Sequence, residues 1–214
     1  MKTILFDFDG TLADSKGLAI SLINQFAPKY KYHKVEDPNE IEKLNHMSLR
    51  ERMQYVGISM FSLPFLLRDI QTAYKEKIKS ILPIEGMDQL VHELAKAGYP
   101  LAIITSNREP IVKQFVQTHQ MDVFSTIHGE RNIFGKGKVI RQFLEDHHLK
   151  VNDAVYIGDE LRDIEACHQV GIPIYAVTWG FDPEKLLQSA NPTRLIHSPQ
   201  ALWEAILSDK VEKP

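Results

Sequence analysis

Two short runs hold most of the chemistry this sequence could perform. The first, Ile4-Leu5-Phe6-Asp7-Phe8-Asp9-Gly10-Thr11, is an apolar stretch ending in two aspartates spaced two apart, then a glycine and a hydroxyl. The second, Tyr156-Ile157-Gly158-Asp159-Glu160-Leu161-Arg162-Asp163, repeats the theme with aspartates four apart. If each apolar run is a buried strand, its acids lie beyond the carboxyl end of the strand, where open α/β sheets bind ligands. Period-two spacing predicts that Asp7 and Asp9 turn to the same side. A helix starting near Glu160 would set Asp159 and Asp163 about one turn apart. An Asp-Gly turn in solvent, or an acid capping a helix, explains either run alone. Neither explains two strand ends that each deliver two carboxylates. Four carboxylates in one crevice are costly without a cation, and oxygen donors with no His or Cys partner select a hard ion, Mg²⁺ by preference.

Two further runs fit around such a cation. Leu101-Ala102-Ile103-Ile104-Thr105-Ser106-Asn107 is an apolar strand ending in hydroxyls and an amide, which can donate to phosphate oxygens or, more plainly, cap a helix. Gly135-Lys136-Gly137-Lys138 places a lysine between glycines ahead of a helical pattern, where it could neutralise acid and phosphate alike or simply stand in solvent.

The elements that must position these residues follow from patterning. Apolar, β-branched runs at residues 3–8, 101–105, 154–157 and 172–177 read as strands, with weaker ones at 124–128 and 194–197. Helical periodicity falls between them at 87–96, 110–119, 138–147, 164–170 and 199–207. Strands alternating with helices predict βαβ units and a parallel sheet. Residues 15–82 break the rhythm, with helical spacing at Leu18, Leu22, Ile23 and Phe26 and no convincing strand, as an inserted helical domain would. Its hinges would be residues 12–14 and 83–86, leaving 1–14 and 83–214 as the α/β core. The polar tail from Ser208 is expected to fray.

Composition sets outer limits. The chain has 214 residues, 43% hydrophobic and 25% charged, with a formal net charge of -3. Near-balanced charge argues against nucleic-acid binding, which wants a basic face. No run approaches the roughly 20 apolar residues of a membrane helix. The residues before Asp7 are too few for a signal-peptide core, so a cytoplasmic protein is expected. A single cysteine, Cys167, excludes a disulfide framework and is expected to pack a helix onto the sheet.

In order and spacing, DFDGT, the strand ending in Thr105-Ser106, the loop lysine and GDELRD together resemble the haloacid dehalogenase superfamily of phosphohydrolases, and most of all its phosphoglycolate phosphatase branch. The resemblance covers residues 1–14 and about 83–199. It implies a doubly wound, Rossmann-like α/β core with residues 15–82 as a helical cap. It further implies Asp7 as nucleophile and Asp9 as general acid and then base. Mg²⁺ would be held by Asp7, the backbone carbonyl of Asp9, Asp159 and Asp163. Thr105 and Lys136 would contact the transferring phosphoryl group, with Gly10, Thr11, Ser106 and Asn107 around it. Lys136 suits the superfamily spacing better than Lys138, although the usual Lys-Pro pair is Lys136-Gly137 here.

The cap would set specificity. Asn45 to Glu51 resembles the loop in which relatives place a substrate-facing arginine, which nominates Arg50 and, less directly, His46. Residues 60–67 read as cap core, with a dimer or partner surface as the alternative. Adjacent His147 and His148 suit a helix end, and Trp179 and Phe181 suit loop anchors. The expected activity is a Mg²⁺-dependent phosphatase, monomer or homodimer, acting on a small phosphorylated metabolite, phosphoglycolate-like or a sugar phosphate. A phosphomutase could use the same groups. A receiver-type signalling module holds an aspartyl phosphate too, but is far shorter and lacks an insertion. A dehalogenase would not need Asp9, because halide leaves without a proton.

Overall fold

The computed structural model describes residues 1–129 and 135–211. Six parallel strands form one sheet: β1 (Thr3–Phe6), β2 (Leu101–Thr105), β3 (Thr126–Gly129), β4 (Ala154–Gly158), β5 (Ile174–Val177) and β6 (Arg194–Ile196), in the order β3-β2-β1-β4-β5-β6. Every residue of β1, β2, β4 and β5 is buried, as strands covered on both faces must be.

The helices are α1 (Lys16–Tyr30), α2 (Pro38–Asn45), α3 (Leu49–Val56), α4 (Leu63–Lys77), α5 (Met87–Lys96), α6 (Glu109–Thr118), α7 (Lys136–Asp146), α8 (Leu161–Val170), α9 (Glu184–Ser189) and α10 (Pro199–Val211). Period-two alternation along the strands separates two cores. Ile4, Phe6, Leu101, Ile103, Val155 and Ile157 meet apolar residues of α5, α6 and α10. Leu5, Ala102, Ile104 and Tyr156 face α7, α8 and α9, where Cys167 is buried as expected. The sheet is therefore doubly wound. Chain order reverses between β1 and β4, which creates a crevice beyond their carboxyl ends.

Between residues 15 and 82 the described structure is helical, and α1 packs on α4. A separate small apolar cluster forms there around Ala27, Tyr32, Val35, Val56 and Leu66. The two chain segments that enter and leave this region are tied together: Asp14 N donates to Leu82 O at 2.9 Å and Ile84 N to Leu12 O at 2.9 Å.

Several expectations need correction. Strand β1 stops at Phe6, so Asp7 to Asp9 leave the sheet instead of continuing its pleat. Helix α10 runs on to Val211 because Asp209 is held by Lys2 at 2.5 Å and Arg194 at 3.1 Å; residues 212–214 of the polar tail lie outside the described residues. Within residues 60–67 only Leu63 and Leu66 are deeply buried. Phe61 is 92% exposed and Phe65 55%, because the turns of α4 that bring Leu63 and Leu66 inward carry Phe65 outward. Helix α9 lacked a sequence signal, being a single amphipathic turn and a half. No helix among the described residues is long and apolar enough to cross a membrane.

Candidate active site

Asp7 follows the last residue of β1, and its N–H donates to Ile157 O of β4 at 2.8 Å, which fixes it at the reversal point of the sheet. Asp159 follows β4, and Asp163 lies in the first turn of α8. One carboxylate oxygen from each of Asp7, Asp159 and Asp163 lies within 4.8 Å of the others, and all three residues are buried. Lys136, the first residue of α7, enters this cluster. Its Nζ sits 2.8 Å from Asp7 Oδ2 and 2.5 Å from Asp163 Oδ1, while Lys138 is exposed on the outside of the same helix.

Three buried carboxylates and one ammonium leave a local excess of negative charge. Burial, reinforced by the charge of Asp163 and opposed by Lys136, pushes the Asp7 carboxyl up to about 7. Burial also pushes the Asp159 carboxyl well up, with Glu160, Asp7 and Asp163 adding like-charge repulsion. The ammonium of Lys136 is held above its ordinary value: burial pulls it down, but Asp163 and Asp7 more than offset that. A buried all-oxygen set with surplus negative charge fits a hard divalent cation.

Asp159 is held in place by its surroundings. Thr11 Oγ1 donates to its Oδ1 at 2.6 Å and Phe181 N to its Oδ2 at 2.8 Å. Gly10, at φ +78°, and Gly180 both lie so close that a Cβ on either would overlap the Asp159 carboxylate. Thr11 and Gly10, read from the sequence as substrate contacts, therefore serve Asp159 in this structure.

Asp9 departs from the expected foursome. Its carboxylate is not part of the three-acid cluster; it accepts from Tyr74 Oη at 2.6 Å and from Asn107 Nδ2 at 3.3 Å. Burial raises its pKa, and the Tyr74 hydrogen bond opposes the rise. The cause of the separation is the end of β1 at Phe6, beyond which strand periodicity no longer governs where the carboxylate points. Asn107 in turn donates its N–H to Thr105 Oγ1 at 3.0 Å, so the buried Thr105 hydroxyl keeps its own proton for another acceptor. Ser106 lines the crevice beside it.

The cap candidates fare differently. Arg50 is exposed, and His46 is exposed and pairs with Glu42 at 3.5 Å; neither lines the cavity next to Asp9. Arg52 does. Half-buried on α3, it reaches Asp182 Oδ1 at 2.5 Å, and Asp182 Oδ2 accepts from Leu161 N at 2.7 Å at the start of α8. The capping box of Ser48 and Glu51 fixes where α3 begins, and the two arginines then fall on different faces of the helix. Tyr74, Arg52 and Asp182 were not found by sequence reasoning. The stripe Leu63, Leu66, Ile70 and Tyr74 marks Tyr74 as inward-facing but carries no sign of its bond to Asp9. The Arg52–Asp182 pair, 130 residues apart, leaves no local signal.

A family model described as haloacid dehalogenase-like hydrolase matches residues 4–177. A phosphoglycolate phosphatase from Synechococcus elongatus is 30% identical over 207 residues, covering 96% of this chain and 97% of its own. A pyrophosphatase from Bacillus cereus is 25% identical over 205 residues, covering 90% of each. The crystal structure of a predicted phosphatase from Clostridium acetobutylicum superposes with a TM-score of 0.84 at 25% identity, covering 97% of this chain and 98% of that one.

Proposed function

The chain belongs to the haloacid dehalogenase-like hydrolase family, and from that premise we propose that it is a Mg²⁺-dependent phosphatase that cleaves a small phosphorylated metabolite through an aspartyl phosphate on Asp7. The observation that carries this reading is the meeting of Asp7, Lys136, Asp159 and Asp163 in one buried crevice, with Asp9 beside it on separate partners. On this reading residues 1–14 and 83–214 are the catalytic core and residues 15–82 the cap.

In the first step a carboxylate oxygen of Asp7 attacks phosphorus and the ester oxygen leaves. Lys136 offsets the repulsion between the Asp7 carboxylate and the phosphate dianion. The Thr105 hydroxyl and the Ser106 N–H donate to the phosphoryl oxygens, where charge stabilisation is typically the largest catalytic contribution. Asp9 gives its proton to the departing alkoxide, which leaves poorly otherwise. Burial favours the protonated acid needed for that step, and general acid catalysis is worth roughly 10²–10⁴-fold. In the second step Asp9 takes a proton from water, which attacks the phosphorus and frees Asp7. Bound Mg²⁺, held by the Asp7, Asp159 and Asp163 carboxylates and the Asp9 carbonyl, supplies Lewis-acid neutralisation of the phosphoryl charge.

The test is release of inorganic phosphate from a panel of phosphorylated metabolites with and without Mg²⁺. Asp7→Asn should lower turnover at least about 10³-fold. Wild-type turnover in that variant would remove Asp7 as nucleophile, and an isomerised sugar phosphate in place of free phosphate would make the enzyme a mutase.

A further inference from the structure

A cavity of about 330 Å³ lies between helices α1 to α4 and the crevice, with Asp9, Ser106 and Asn107 on its rim. Protein interiors hold few voids larger than a water molecule, so this volume is not slack packing of the helices; it falls at the small end of ligand pockets. Away from the rim its wall is aliphatic, including Ile20, Ile23, Leu49, Met53, Leu67 and Ile70.

The charged groups at the cavity are already engaged. Arg52 pairs with Asp182, and Arg162 forms a two-point pair with Glu160 at 2.6 and 2.7 Å. The ammonium of Lys16 donates to the carbonyls of Gly180 and Phe181 at 3.0 and 3.1 Å. Asn24 spends both ends of its amide on the backbone of Val35, and Gln71 Oε1 accepts from Arg108. A second anionic group on the substrate would have to compete with those acids for Arg52 or Arg162. Sugar hydroxyls would lose hydrogen bonds to water and face methyl groups, which is unfavourable for each group left unsatisfied.

Resting on the phosphatase reading above, we infer that the favoured substrate is a phosphate monoester with an apolar leaving group, an alkyl or aryl chain seated between α1, α3 and α4. An apolar cavity of about 150 Å³ accommodates benzene, so this one admits about ten heavy atoms. The substrate class thereby differs from a short ester with a second anionic group, such as phosphoglycolate.

The test uses the full chain with Mg²⁺. Calorimetric binding of n-alkyl phosphonates from propyl to octyl should tighten by about two- to fourfold per methylene, the upper figure being that of a fully buried CH₂. Phosphonoacetate, similar in size to propylphosphonate but carrying a carboxylate, should bind more weakly than it. Affinity that does not change with chain length, or tighter binding of phosphonoacetate, overturns the inference. Ala19 lines the cavity, and Ala19→Phe should flatten the chain-length dependence by occupying the space. Met53→Gln, which makes the wall polar, serves the same purpose if the first variant does not fold. An unchanged slope in the folded variants also overturns the inference. Phosphate release from the matching alkyl phosphates tests the other reading separately: chain-length-dependent binding with no release would remove the hydrolase and keep the apolar seat.

Discussion

The crevice beyond β1 and β4 and the helical region facing it are built on opposite principles. In the crevice, charge is concentrated and nearly every polar atom is held by a neighbour: Asp159 by Thr11 and Phe181, Lys136 by Asp7 and Asp163, Thr105 by Asn107. In the helical region the wall is aliphatic, the volume is open, and aromatic side chains such as Phe61 and Phe65 stand in solvent. One region fixes where charge will be; the other offers a surface whose shape can change without disturbing that charge. This is how a phosphatase family can keep one reaction and vary its substrate. The two relatives similar to this chain carry different substrate names, phosphoglycolate phosphatase and pyrophosphatase.

The contrast is broken most severely by removing the ammonium that touches two of the crevice's acids. Lys136→Met leaves Asp7 and Asp163 without their counter-charge, and breaking a buried pair by removing one partner costs about 3–5 kcal/mol. The loss should depend on pH. Asp7 has a folded pKa of about 7, raised by burial, so its ionised form is disfavoured in the folded state and stability falls as pH rises through that range. Without Lys136 this penalty grows. Chemical denaturation in a chelator should therefore show a larger loss at pH 8 than at pH 5. Lys138→Met, on the exposed face of the same helix, should change stability by less than about 0.5 kcal/mol. Equal losses in the two variants would remove Lys136 from the charge balance of the crevice.

The same division governs what could be read from the chain. Asp7 and Asp159 follow apolar strands directly, Thr105 is the last residue of one, and Asp163 stands one helical turn beyond Asp159, so local order predicts where each of them lies. The family resemblance nominates Lys136, whose Nζ lies in the crevice on a helix that begins two residues earlier than the periodicity suggests. The helical region gave up its helices but not its inward residues. Arg50 and Arg52 differ by about 200° around α3, and only packing decides which one faces inward. Tyr74 and Asp182 become functional candidates only through contacts with residues 65 and 130 positions away.

That ambiguity gives the next test. Arg52→Ala strips the buried Asp182 of its partner while Asp182 still holds the first turn of α8 through Leu161. The expected cost is about 1.5–3 kcal/mol of stability, the range for a hydrogen bond to a charged group, with kcat/KM lowered as α8 loosens around Asp163. Arg50→Ala should stay within about 0.5 kcal/mol and leave kcat/KM unchanged. The reverse ranking would restore Arg50 as the substrate-facing arginine.

The smallest expected effect lies where the two regions touch. Tyr74 belongs to the helical side, yet its hydroxyl donates to Asp9 on the core side at 2.6 Å. That bond favours the ionised carboxylate and opposes the upward push of burial. Tyr74→Phe keeps the ring and removes only the hydroxyl, so packing is retained and stability should fall by no more than about 1 kcal/mol. The informative change is in the pH profile. With the donor gone, the Asp9 pKa rises further, Asp9 stays protonated to higher pH, and the high-pH limb of kcat/KM moves upward. At neutral pH the rate should fall by about tenfold or less, because Asp9 loses the contact that orients it for both proton transfers. A profile whose high-pH limb does not move would mean that Asp9 is not the titrating acid, and that Tyr74 joins the two regions by packing alone.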